Sequence, residues 1–105
     1  MRLSHLQEFI LKTSYENHAA RIHRRAFLSY YQLAPASERT GDIHGVLTRS
    51  LERLIDRELM VGYGRRTPHK WFIDEVRLTS KGSGMAKKLM GEQQSFPFRR
   101  ARKSS

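Results

Sequence analysis

Cationic side chains gather at three places along this chain, each with residue types suited to holding anionic oxygens. In the middle, Thr48 and Arg49 stand together, Arg53 follows one helical turn on, and Arg39, Thr40 and His44 lie just ahead. Further along, Arg65 and Arg66 precede and His69 and Lys70 follow Thr67-Pro68, a pair that reads as the tip of a turn. Near the end, Arg99, Arg100, Arg102 and Lys103 put four positive charges within five positions. A guanidinium presents a planar fork of donors that matches phosphate oxygens two at a time, whereas lysine acts as a mobile point charge.

Other chemistries lack their residues. There is no cysteine, so disulfides, thiolate metal sites and a cysteine nucleophile are all excluded. His5, His18, His23, His44 and His69 show no zinc-ligand spacing, and no GxSxG elbow or phosphate-binding glycine loop occurs. The carboxylates Glu8, Glu16, Asp42, Glu52, Asp56, Asp74 and Glu75 are scattered rather than clustered for two-metal hydrolysis. The sequence therefore assigns no catalytic residue, no metal and no cofactor. What it does carry is a net charge of +10 on 105 residues, with +7 of it in residues 77–105. Such a field attracts polyanions and speeds their encounter, and solubility alone seldom needs so one-sided a balance.

A chain of this length supports one modest core, and 38% hydrophobic residues suffice to fill it. The expected organisation is a domain over residues 1–90 followed by a basic tail, 91–105, without a periodic apolar face. No apolar run reaches the roughly 20 residues needed to cross a bilayer, and the start of the chain turns polar too soon for a signal peptide. A cytoplasmic protein without membrane contact is the expectation.

Periodicity then supplies the elements that must position the cations. Ser4 and Gln7 have capping-box spacing, and Leu6, Phe9, Ile10 and Thr13 mark a first helix to about Tyr15. Ile22, Ala26, Phe27 and Tyr30 predict a short second helix over residues 22–31, and Pro35 and Gly41 make residues 32–41 a connection. Asp42 caps a third helix over 43–58, with Ile43, Leu47, Leu51 and Leu54 on its core side and Gly45, Thr48, Arg49, Glu52, Arg53 and Asp56 opposite. Residues 59–63 and 71–78 read as two strands of a hairpin around a basic turn, 64–70, with Phe72, Val76 and Leu78 on one face. Trp71, at a strand start, is expected to pack rather than to stack on a nucleotide. Thr79 or Ser80 caps a last helix to about Met90.

Two junctions resemble a known family. Residues 47–61, LTRSLERLIDRELMV, are similar to the recognition helix of prokaryotic MarR-like regulators running into its wing. Residues 76–82, VRLTSKG, are similar to that family's exit from the wing into a capped helix. Glu58 stands where the family usually has glycine, the connection before Ile43 is longer, and the chain looks like a minimal form without the long dimerisation helices. The resemblance covers roughly residues 4–90. It implies an α+β fold, a winged helix-turn-helix of three helices, a β-hairpin wing and a C-terminal helix.

It also implies a double-stranded DNA-binding regulator of transcription. The helix over 43–58 would enter the major groove, the wing over 61–78 would meet flanking backbone, and the tail would add affinity without sequence preference. The DNA-facing set is then Arg39, Thr40, His44, Thr48, Arg49, Arg53, Arg65, Arg66, His69, Lys70, Arg99, Arg100, Arg102 and Lys103. Leu6 and Phe9, or Met85, Leu89 and Met90, offer apolar surface for a homodimer. Winged helices also serve as RNA- or ribosome-binding proteins and as protein-interaction modules, and composition leaves those alternatives open.

Overall fold

The computed structural model describes residues 2–39 and 41–93. Its elements are α1 (His5–Glu16), β1 (Ile22–His23), a 3-10 helix (Arg24–Ser29), α2 (Tyr30–Leu33), a second 3-10 helix (Ala36–Glu38), α3 (Ile43–Asp56), β2 (Met60–Arg66), β3 (Trp71–Leu78) and α4 (Ser80–Gln93). The three strands form one antiparallel sheet in the order β1-β3-β2. No helix among the described residues is long and apolar enough to cross a membrane.

The capping box predicted at the start of α1 is present. Ser4 Oγ accepts from the Gln7 amide at 3.1 Å while the Ser4 amide donates to Gln7 Oε1 at 2.9 Å. The buried stripe of α1 is Leu6, Ile10, Leu11 and Ser14, rotated slightly from the expected one, so Phe9 and Thr13 sit at its margin. Leu6 is only 5% exposed and belongs to the core, which removes it from any surface that could meet a second copy. On α3 the core side is as expected: Leu47, Leu51 and Leu54 are fully buried.

The second helix differs from its sequence reading. Ile22 and His23 form a short strand opposite Val76 and Glu75, and the chain then winds as a 3-10 helix before one α-helical turn. A β-branched residue on the open edge of β3 gains ladder hydrogen bonds there that a helix start would forgo. The turn that delivers it uses left-handed backbone at His18 (φ 60°) and Ala19 (φ 58°), which ends α1 abruptly. His23 caps the 3-10 helix, its Nδ1 accepting from the Arg25 amide at 3.1 Å.

The hairpin is longer than expected and carries an irregularity. Tyr63 opposes Glu75 but Gly64 opposes Ile73, so Asp74 is an extra residue in β3. This bulge reverses the inward-outward phase: Ile73 is buried with Val76 and Leu78, whereas Phe72, expected inward, is 38% exposed. At Gly64 a Cβ would collide with the Phe72 carbonyl, so the close approach at the bulge requires glycine.

The ends of α3 and the start of α4 meet. Glu58 adopts φ 65°, its amide donates to the Ile55 carbonyl at 2.9 Å, and the Leu59 amide donates to the Leu54 carbonyl at 3.0 Å. This is a Schellman closure made without glycine, with buried Leu54 and Leu59 in its usual hydrophobic contact positions. Thr79 caps α4 through Oγ1, which accepts from the Gly82 amide at 3.0 Å and itself donates to the Glu58 carbonyl at 2.7 Å. Gly82 lies so close to the Leu59 carbonyl that a Cβ there would overlap it.

Two substitutions test this junction by denaturant melting. Glu58→Gly relieves a left-handed residue whose side chain is exposed, and should raise stability by about 1 kcal/mol. Gly82→Ala must push one backbone off another and should lower stability by about 1–3 kcal/mol.

Candidate nucleic-acid interface

The exposed side of α3 faces a groove whose other wall is the start of β3. Asp42, His44, Gly45, Thr48, Arg49 and Glu52 line it from α3 and its cap, Lys70, Trp71 and Phe72 from the wing, and Arg24 from below. Asp42 sets the entry of α3, its Oδ1 accepting from the Gly45 amide at 2.9 Å. That places the positive end of the helix, and the first exposed turn, at one end of the groove.

Arg24 holds the two walls at a fixed spacing. Its Nη1 donates to the Ile73 carbonyl at 3.1 Å, and its Nη2 donates to the His44 carbonyl at 3.1 Å and to Thr48 Oγ1 at 2.7 Å. One rigid cation thus bridges β3 and two successive turns of α3. Sequence reasoning passed over Arg24 because its neighbours suggested a solvent-facing helix position; the available signal was a three-arginine cluster, Arg21, Arg24 and Arg25, beside an aromatic core segment.

The predicted residues fall into distinct situations. Arg49 and Arg53 are exposed on α3, and His44 is exposed on its first turn. Thr48 is half-buried and already accepts from Arg24, so its hydroxyl is left to act as a donor. Arg39 is exposed at the end of the second 3-10 helix, outside the groove lining.

On the wing, Thr67 and Lys70 close a tight turn, the Thr67 amide donating to the Lys70 carbonyl at 2.7 Å, with His69 exposed at the tip. Arg66 lies over the Trp71 ring at 4.2 Å and Arg65 over Phe72 at 5.2 Å. The aromatic faces steady these cations while leaving their outward donors exposed. Trp71 itself is half-buried and packed against the core, as expected of it. Thr40 and the tail residues Arg99, Arg100, Arg102 and Lys103 lie outside the described residues. Among the described residues no three metal-ligating side chains converge.

Helices pack on one side of a three-stranded antiparallel sheet, with α3 feeding a hairpin and a groove between them. The fold is a winged helix. The adhesin competence repressor AdcR of Streptococcus pyogenes superposes with a TM-score of 0.60 at 13% identity, over 89% of this chain and 59% of that one. A cysteine-to-serine mutant of Lactococcus lactis ZitR superposes with a TM-score of 0.57 at 20% identity, over 90% of this chain and 55% of that one. The chain therefore spans a little over half the length of these solved structures. No family model and no curated protein matches the sequence.

The winged helix presented by this chain depends on Arg24 for the spacing of its two contact elements. Arg24→Lys keeps the charge but cannot reach acceptors on both walls at once, so stability should fall by about 1–2 kcal/mol in a urea melt. Faster amide exchange in β3 around Ile73 than in α1 would locate the loss at the groove; uniform exchange would deny Arg24 this role.

Proposed function

We propose that this protein binds double-stranded DNA and regulates transcription, with α3 in the major groove and the β2–β3 wing against flanking backbone, and with no catalytic step of its own. The observation that carries the reading is the groove itself: Arg49, His44 and the Thr48 hydroxyl on α3 open onto the same surface as Lys70 on the wing. An α-helix fits a groove about 12 Å wide, and polar side chains on its outward face reach base edges there. Arg65, Arg66 and His69 then meet phosphates, which position the protein without reading sequence. The likeness to AdcR, whose name describes a repressor, is in keeping with this.

Within the reading, the regulator is of the MarR-like kind, and Arg53 and Arg39 add backbone contacts beside the groove. The tail, residues 91–105, carries Arg99, Arg100, Arg102 and Lys103 to neighbouring phosphates, and Thr40 is a further contact in the same reading. A homodimer would read paired half-sites; Phe9 on α1 and Met85 and Leu89 on α4 are half-buried and partly available for it.

Replacing Arg49 with Ala should cost about 1–3 kcal/mol on the preferred duplex, selected from a random library, and much less on bulk duplex. Equal losses on both would make Arg49 a phosphate contact and remove the specific reading.

The wing and tail are tested by salt titration. Replacing Arg65 and Arg66 together should flatten the slope of log affinity against log salt by about 1–2, and removing residues 98–105 by about 2–4. Slopes unchanged by either would place the duplex elsewhere on the protein.

A further inference from the structure

The sheet has a second face, turned away from the helices, of which the proposed function uses only Arg65. The register places Val61, Tyr63 and Arg65 of β2 on it, together with Phe72, Glu75 and Arg77 of β3. Two of these are apolar groups that would ordinarily be covered: Phe72 is 38% exposed and Val61 36%. Phe72 is there because the Asp74 bulge turned it outward, and the ring has a cation near each of two approaches, Arg65 at 5.2 Å and Lys70 at 5.1 Å. Tyr63, on the neighbouring strand, is built into a similar arrangement. Arg21 lies over its ring at 3.9 Å, and Arg77 Nε donates to its hydroxyl at 3.0 Å. Arg21 is further oriented by Glu75 at 2.7 Å, yet its side chain stays 55% exposed.

We infer that this outer face of β2 and β3 is a binding surface for single-stranded nucleic acid, adjoining the α3 groove at Phe72 and Lys70 but centred on Tyr63, which does not line that groove. Its ingredients are those that such a ligand needs. Two aromatic rings on adjacent strands, Phe72 and the half-buried Tyr63, are suited to unpaired bases, and the Arg21 guanidinium over Tyr63 adds a second group on which a base can stack. Arg21, Arg65, Lys70 and Arg77 surround the rings and outnumber the two local carboxylates, Asp74 and Glu75, so the backbone of the strand meets net positive charge. A duplex hides its base faces and gains nothing from these rings. A protein partner with an apolar patch would have to bury four arginine and lysine heads to reach them, at a desolvation cost that phosphates offset.

Lys70 and Phe72 also line the α3 groove, so the decisive comparison rests on Tyr63, with Phe72 as a second position. Fluorescently labelled oligo(U) and oligo(dT) of about ten nucleotides, and a duplex of the same length, would be titrated against the full chain by anisotropy. Phe72→Ala and Phe72→Leu should each weaken the single strands about tenfold relative to the duplex, Phe72→Trp should restore them, and Tyr63→Leu should repeat the loss. Tighter binding of oligo(U) than oligo(dT) would identify RNA as the ligand, and the reverse DNA. No binding of either single strand by the unaltered protein, or a loss on Tyr63→Leu shared equally by the duplex, would overturn the proposal. Failure of Arg49→Ala to affect the duplex would leave it standing.

Discussion

The reversal between α3 and β2 is the constraint on which the rest of this fold depends, because four elements converge on three consecutive carbonyls. The last carbonyls of a helix have no partners within it. Here Arg57 accepts from Lys81 Nζ at 3.1 Å, Glu58 from Thr79 Oγ1 at 2.7 Å, and Leu59 from the Thr79 amide at 3.1 Å. The donors come from the residues that leave β3 and open α4. Closing α3 and starting α4 are thus one event, and the hairpin between them is held at its base whatever its tip does. Lys81 adds a positive charge near the negative end of α3, which favours the same arrangement.

From that base the wing's geometry follows through two local devices. The bulge at Asp74 turns the outer half of β3 over, so that Ile73 completes the core while Phe72 is released to the surface. Arg24 then takes hold of the Ile73 carbonyl beyond the point where β1 stops pairing, and ties it to α3. The first device decides which side chains each wing face presents. The second fixes how far that face stands from the helix. A ligand spanning both elements meets a prearranged spacing and need not order the wing on arrival, which spares part of the usual entropic cost of binding.

Much of this was legible in the sequence, and the parts that were not share a physical cause. Caps and helix faces could be read because they depend on residues three or four apart: Ser4 with Gln7, Asp42 ahead of α3, and the leucines of α3 itself. The motif VRLTSKG could be matched to a family but not explained until Thr79, Lys81 and Gly82 were seen against the end of α3. Phe72 falls on the opposite face from the one alternation predicts because a bulge is one residue long and reverses a period-2 pattern; Asp74 among the apolar positions and Gly64 opposite are its traces in the sequence. Ile22 and His23 were read as helical because their strand exists only through the open edge of β3, more than fifty residues away. Arg24 escapes a sequence reading for the same reason: two of its three acceptors are backbone carbonyls, which any sequence supplies, and the third, Thr48 Oγ1, lies 24 residues away.

The charge of the chain links the fold to its ligands. Among the described residues the one ion pair is Arg21 with Glu75. Of the other cations, Arg24 and Lys81 donate to carbonyls, Arg77 to the Tyr63 hydroxyl, and Arg65, Arg66 and Lys70 lie over aromatic rings rather than beside carboxylates. Such a surface repels itself over a distance of about 10 Å at 0.1 M salt, a penalty carried by the folded state because folding brings the cations together. Any polyanion that lies along them removes that repulsion in the act of binding, so part of its affinity is returned stability of the protein itself. The effect needs no sequence match, and it sets a floor of general affinity. On that floor, in the readings proposed above, Arg49 in the α3 groove would discriminate by base-edge donors and Phe72 and Tyr63 by stacking, because charge alone treats all phosphates alike.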